Sequence, residues 1–336
     1  MRKILFAVLV LAVGVYSCSQ NDENENVSDE LVEVKVGSES KKMIDPESKN
    51  TKSIIEPGGT TTWNIGDQVK IIDVDGVDRT FTHEGKNATQ SAEFNGLLRA
   101  GQGKRIYKAF HAPTKSDCKL ETGHILVVKR EDLDITEDGV NYNSALFGSY
   151  CPMVAIPLNF DAEDPDDSKL FQFHHLTSMI EARVSLRDPE DNEFLDKTFN
   201  RVVFELKARG SKPFYTEIKF DFDLLNIGDQ VQDFDECIVN KSDASVKTDF
   251  MSTTMNMEER TIRELMGEYA SLKSFPIPIF ALPTDDPFDY TATVYFYLGN
   301  KIQLKMEGNK DGATGLNPVG LNVLVFDYKK IVQGIY

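Results

Sequence analysis

The chain has 336 residues, with 37 basic against 54 acidic side chains and a net charge of −17 at pH 7. That balance, with no stripe of clustered Lys and Arg, argues against nucleic acid and anionic membrane surfaces as partners, because both are bound through cations. With 40% of residues apolar, the chain carries material for two cores of roughly 150 residues each rather than one.

In chain order, Arg2 and Lys3 precede an unbroken run of small and apolar side chains from Ile4 to Val15, the profile of a signal peptide over residues 1–17. The run is too short to cross a bilayer core of about 30 Å, which takes roughly 20 apolar residues. It ends in Val15-Tyr16-Ser17-Cys18, similar to a lipobox, in which Cys18 is the lipidated residue and the new N-terminus. Each buried CH₂ adds about 0.8 kcal/mol, so two or three acyl chains such as palmitate hold a protein on a membrane where one does not. The bland alternative is an ordinary cleaved signal beside an unmodified cysteine. Loss of residues 1–17 leaves 35 basic and 54 acidic side chains, a net of −19. The acidic tract Ser19–Asn26 that follows is a solvated tether, and it resembles the signal that sends lipoproteins to the outer face of the cell outer membrane.

Residues 18–61 form a lipidated leader with a first strand, since in Leu31-Val32-Glu33-Val34-Lys35-Val36 valines alternate with charges. From Trp63 onward hairpin signals recur. Gln68–Val74 and Val77–His83 flank Asp75-Gly76, a type I′ signal, and Asp138-Gly139 marks another reversal. Thr291–Leu298 turns at Gly299-Asn300 into Lys301–Met306. Turns at this spacing predict sandwiches. The one helical pattern is Met255–Leu272, with Met255, Ile262, Leu265, Met266 and Tyr269 on one face. The charged break at Asp188-Pro189-Glu190-Asp191-Asn192, after the strand Met179–Leu186, divides an N-terminal β-sandwich domain, 62–187, from a C-terminal one, 188–336.

Candidate chemistry is sparse. Besides Cys18 there are Cys118, Cys151 and Cys237, irregularly spaced with no Cys-x-x-Cys, which allow at most one disulfide and read as small core residues. His174-His175 sit in Leu170–Leu176, where alternation sends one imidazole inward and one outward; no acid follows at ligand spacing, so a buried structural histidine is favoured over a metal ligand. Asp73-Val74-Asp75-Gly76-Val77-Asp78 lacks the bidentate Glu of a calcium loop and reads as a hairpin turn. Asp161, Glu163, Asp164, Asp166 and Asp167 around Pro165 read as a solvated loop. No phosphate loop, Gly-x-Ser-x-Gly or His-Glu-x-x-His occurs, so the expectation is a protein without catalytic residues, metal or cofactor. Two alternatives stay open: a glycoside hydrolase, whose paired carboxylates leave no local motif, and a surface glycan-binding lipoprotein, although the single Trp, Trp63, stands at the start of the first strong strand, where a core role is favoured over a sugar platform.

Several segments resemble the fimbrillin family, the donor-strand pilus subunits of Gram-negative anaerobes. Trp63-Asn64-Ile65-Gly66-Asp67-Gln68-Val69 is similar to its Trp-x-x-Gly-Asp strand entry, and Tyr107-Lys108-Ala109-Phe110-His111-Ala112-Pro113 to its strand from a Tyr to a Pro. Pro152-Met153-Val154-Ala155 and the strand Phe173–Val184 follow in the family's order, and Phe275–Pro283 extends the resemblance into the second half. The resemblance implies an all-β fold of two tandem transthyretin-like β-sandwich domains with one short helix. It implies a lipoprotein subunit of a cell-surface fimbrium, involved in cell adhesion, whose partners are other pilus subunits joined by strand exchange and a surface ligand of host or bacterium. A neighbour's C-terminal strand, here Val319–Phe326, would replace residues 31–36. Family shaft subunits are trimmed after an Arg behind the first strand. Here no Arg lies between Ser19 and Arg79, and Lys41, Lys42, Lys49 and Lys52 are the only basic residues of that loop, which points to an uncleaved anchor or accessory subunit.

Overall fold

Period-two alternation of apolar and polar side chains commits a chain to strands, and here it does so almost throughout. The structure is a computed structural model that describes residues 31–40, 63–86, 89–113, 117–130, 132–136, 151–185, 195–229, 231–268, 274–284, 287–313, 316 and 321–327. Cys18, the signal segment, the lysines between residues 41 and 52, Asp138-Gly139 and the division at 187/188 lie outside the described residues.

The first half contains β1 (Leu31–Ser40), β2 (Gln68–Ile72), β3 (Asp78–His83), β4 (Ser91–Arg99), β5 (Lys104–His111), β6 (Asp117–Thr122), β7 (Ile125–Lys129), β8 (Leu133–Thr136), β9 (Met153–Ala155), β10 (Leu158–Asp161), β11 (Leu170–His175) and β12 (Ser178–Ser185). The second contains β13 (Thr198–Arg209), β14 (Phe214–Tyr215), β15 (Glu217–Asp221), β16 (Lys247–Thr248), β17 (Phe250–Thr261), a short helix α1 (Ile262–Glu268), β18 (Ser274–Ala281), β19 (Phe288–Leu298), β20 (Lys301–Ala313) and β21 (Leu321–Asp327). It is an all-β protein of several packed sheets with one short helix.

The largest sheet runs β10-β5-β2-β3-β4-β1-β11-β9, and β5 also pairs with β9, so the two layers join edge to edge and the sheet closes on itself. Closure gives every strand of the ring a neighbour on both sides, although the ladders do not run the full length of each strand. Its interior is one core, in which Val34, Val36, Val69, Ile71, Phe81, Phe94, Tyr107 and Phe173 surround Trp63. Trp63 meets Phe94 and Phe173 edge-on at 5.1 and 5.6 Å between ring centres. Its own backbone exchanges two hydrogen bonds with Thr89, of 2.7 and 3.2 Å.

A second core lies between the sheet β20-β19-β13-β17-β8 and the sheet β18-β12-β21, with Phe199, Phe204, Met251, Met255, Ile277, Val294, Phe296 and Phe326 inside. A third joins the two. Ile72, Phe110 and Val154 point outward from the closed sheet, because each is one residue out of phase with its inward neighbours Ile71, Ala109 and Met153. They pack on Ile218, Phe220, Phe222 and Phe234 of the β15-β7-β6 layer and its neighbouring turns. At the same join the β2–β3 and β6–β7 connections touch. A Cβ on Gly123 would lie 3.0 Å from the Gly76 Cα, and Gly76 has φ +74°, so both positions demand glycine.

Sheet pairing crosses the division expected at 187/188, because β12 pairs with β18 and β21, β7 with β15, and β8 with β17. Two local expectations are corrected. The helix predicted over Met255–Leu272 is strand through Thr261 and helix only over Ile262–Glu268, with 269–272 outside the described residues. Met251, Thr253, Met255 and Met257 are buried in alternation, and pairing with β13 on the flank overrides the helical spacing. The β2–β3 connection is wider than a type I′ turn and spans Asp73–Val77. The buried Asp73 carboxylate organises it, accepting from the Asp75 and Val77 amides at 3.0 Å each and pairing with Arg79 at 2.7 Å. Its oxygens are occupied by the protein's own donors.

Replacing Trp63 with Ala empties the centre of the first core and removes three edge-on ring contacts, to Phe94, His111 and Phe173. The expected loss is about 3–5 kcal/mol in denaturant unfolding, and an unchanged midpoint would contradict the packing described.

Candidate functional site: the leader strand and its groove

β1 is the N-terminal strand among the described residues, and it sits inside the closed sheet rather than at its margin. It runs antiparallel to β4, from Leu31 opposite Arg99 to Glu39 opposite Ser91. It runs parallel to β11 only from Gly37 opposite Leu170 to Ser40 opposite Phe173. Residues 31–36 are therefore laddered on one side, 37–39 on both, and Ser40 on β11 alone. The Gly37 amide adds a hydrogen bond of 2.8 Å to the Lys169 carbonyl.

Alternation decides what each residue contributes. Val34 and Val36 face the core at 2% and 1% exposure, with Val32 packed beside them. Burying a Val side chain is worth roughly 1.5–3 kcal/mol, so these two alone supply about 3–6 kcal/mol of the closure. Outside, Lys35 pairs with Glu93 at 2.7 Å, but both side chains are well exposed and the pair adds little. Ser38 continues the inward row, 1% exposed, and its hydroxyl has no partner. At Gly37 a Cβ would stand 3.0 Å from the tip of the Leu170 side chain, which packs over the strand from β11.

The other sequence candidates separate. Val319–Phe326 overlaps β21, Leu321–Asp327, which lies parallel to β12 at the margin of its sheet and buries Phe326; residues 319 and 320 lie outside the described residues. Trp63 is 1% exposed and cannot serve as a face for sugars. Cys118, Cys151 and Cys237 are free thiols; Cys151 and Cys237 are buried, and burial pushes the Cys118 and Cys237 thiols up to about 12. The acidic cluster is a loop whose carboxylates cap its own amides, Asp161 taking Glu163 and Asp164 taking Asp166. Asp73 and Glu181 are the buried acids among the described residues. They belong to different sheets, and each is paired with an arginine, so they do not form the facing carboxylates of a glycosidase.

His175 points inward and His174 is half-buried with its ring edge-on to Phe234, as alternation requires. The segment holding them does something no spacing rule announced: β11 ends the closed sheet, Leu176 enters the joining core with its amide 2.9 Å from the Pro152 carbonyl, and β12 opens the next sheet.

The fold and this groove define a class: a multi-sheet β protein in which a leader strand completes a closed sheet. No family model matches the sequence, and no curated protein matches it. Among solved structures, the chain is similar to a candidate cell adhesion protein from Bacteroides ovatus at TM-score 0.50 and 10% identity, covering 89% of this chain and 93% of that one. A second from Bacteroides uniformis gives 0.45 and 11%, covering 87% and 92%. A fimbrial assembly protein from Parabacteroides distasonis gives 0.33 and 11%, covering 88% and 92%. The first likeness is one of fold; the other two superpose too loosely to extend it.

Burial, with smaller contributions from His111 and His174, pushes the His175 imidazole down to about 3 from an ordinary 6.5. Between those values the unfolded chain takes up a proton that the folded chain refuses. Stability is then lost as pH falls through that window, at up to about 1.4 kcal/mol per pH unit. A His175→Gln variant should show a shallower fall in unfolding free energy between about pH 6 and pH 4 than the parent. Equal slopes would contradict the assignment.

Proposed function

We propose that this chain is a lipoprotein-anchored subunit of a cell-surface fimbrium, involved in adhesion, and that the β1 groove is its assembly site. The observation that carries the reading is the half-held leader strand: a buried strand inside a closed sheet, laddered on one side over residues 31–36. Such a strand can peel from its N-terminal end while residues 37–40 still hold the ring. An extended segment of another subunit then follows it in, gaining backbone pairing from β4 and side-chain register from the positions of Val32, Val34 and Val36. An empty groove is not an alternative, because the apolar burial it forfeits is a large share of the roughly 5–15 kcal/mol that stabilises a domain.

The fold shared with the Bacteroides ovatus protein and the lipobox-like Val15–Cys18 support the surface location. The absence of Arg between Ser19 and Arg79 supports a leader that stays in place, and so an anchoring or accessory position. If a C-terminal strand is the donated segment, it must first leave β12, where it buries Phe326. The role asks for no catalytic residue.

Lys35 and Asn95 stand opposite each other in the β1–β4 ladder, within disulfide reach for any antiparallel pair. The double variant Lys35→Cys/Asn95→Cys, oxidised, should accept no strand from another subunit and should assemble again once reduced. Assembly by the oxidised form at the parent rate would overturn the reading. The anchor is tested separately: Cys18→Ala should leave the membrane fraction and lose acyl labelling while keeping its melting temperature, and unchanged labelling would remove Cys18 from the account.

A further inference from the structure

We propose that His124, Asp221 and Asp223 form a binding site for a divalent transition-metal ion of the Zn²⁺ type. The three offer one imidazole and two carboxylate ligand atoms, all within 4.8 Å of one another. They come from two separate stretches of chain. His124 lies on the β6–β7 connection, Asp221 ends β15, and Asp223 lies in the 3-10 turn Phe222–Leu224 that follows it.

Both carboxylates are already oriented by a neighbour, as metal ligands are, and the backbone at His124 is fixed. The Phe222 amide donates to the His124 carbonyl at 2.9 Å, which ties the two stretches together. One Asp221 oxygen accepts from the Asp223 amide at 2.8 Å, leaving the other for an ion. One Asp223 oxygen accepts from the Lys108 ammonium at 2.5 Å, while its second oxygen stands 3.8 Å from His124 Nδ1.

The donor set points to the class of ion. A tetrahedral ion with bonds of about 2.0–2.1 Å sets its donors about 3.4 Å apart, so the His124–Asp223 pair, now 3.8 Å apart, and the cluster as a whole, within 4.8 Å, contract to bind. His124 and Asp223 are 44% and 57% exposed, which leaves both the freedom to move and open positions for water. One nitrogen and two oxygens with water completing the shell suit Zn²⁺ or a neighbouring transition ion, whereas Ca²⁺ wants 6–8 oxygens. The place matters too. Gly123, the residue before His124, is the one that touches Gly76 of the closed sheet, and Lys108 comes from β5 of that sheet. An ion here clamps the β6–β7 connection to β15 where both meet the closed sheet.

The test is calorimetric titration of the protein with Zn²⁺, beside thermal unfolding with and without the ion and the absorption spectrum of a Co²⁺-loaded sample. One ion per chain is expected, with a raised melting temperature and a Co²⁺ spectrum that changes when His124 is replaced. His124→Gln and Asp223→Asn should each weaken binding about 10-fold or more, while Asp166→Asn in the acidic loop leaves it unchanged. Absence of saturable binding, equal affinity in His124→Gln, or equal loss in Asp166→Asn would each overturn the site. Melting temperatures of all variants without metal separate lost binding from lost folding.

Discussion

The pairing of β1 with β4 and β11 is the interaction on which the first half depends. Without it the ring opens between two long strands, each presenting unpaired amides and carbonyls, and the valine row leaves Phe94 and Phe173 facing water. The strand that supplies this closure is separated in sequence from everything it holds. Its covalent tie to the sheet runs through the segment before Trp63, and Trp63 is itself pinned by Thr89 and three aromatic neighbours. The exchange proposed for the leader would therefore leave the rest of the core its anchor.

The halves are not beads on a linker. The segment from β11 to β12 carries the chain from one sheet to the next within a tight reversal, and the outward side chains of β2, β5 and β9 complete a core shared with β7 and β15. The Gly76–Gly123 contact brings two connections together at backbone distance. Parallel pairing recurs on both sides of that segment, β1 on β11 and β21 on β12. Both terminal strands of the described chain are consequently laddered on the two strands that this segment joins.

The proposed ion site and the groove illustrate two kinds of information. The groove strand was legible because Val32, Val34 and Val36 alternate with charges over a few residues, and local alternation is written in sequence. His124, Asp221 and Asp223 are far apart in the chain and meet only because β7 pairs with β15. No spacing rule finds them. The helix expected after Met255 failed for a related reason: methionine and threonine suit either period, and only the flanking β13 ladder chose the strand.

By itself the sequence determined that the chain is all-β, that Trp63 is a core residue, that residues 31–36 form a strand, and that the loop around Pro165 is solvated. Each follows from side-chain chemistry acting on near neighbours, which a linear pattern records. Tertiary structure alone decided that the largest sheet closes through β5 and β9, that β1 is laddered on one side only over residues 31–36, and that sheets cross the charged break. It decided, too, that Asp73 uses its oxygens on its own turn and on Arg79 rather than on an ion. Backbone pairing between distant strands is blind to side-chain identity along the ladder, so the sequence names the strands and leaves their partners to the packing of the whole.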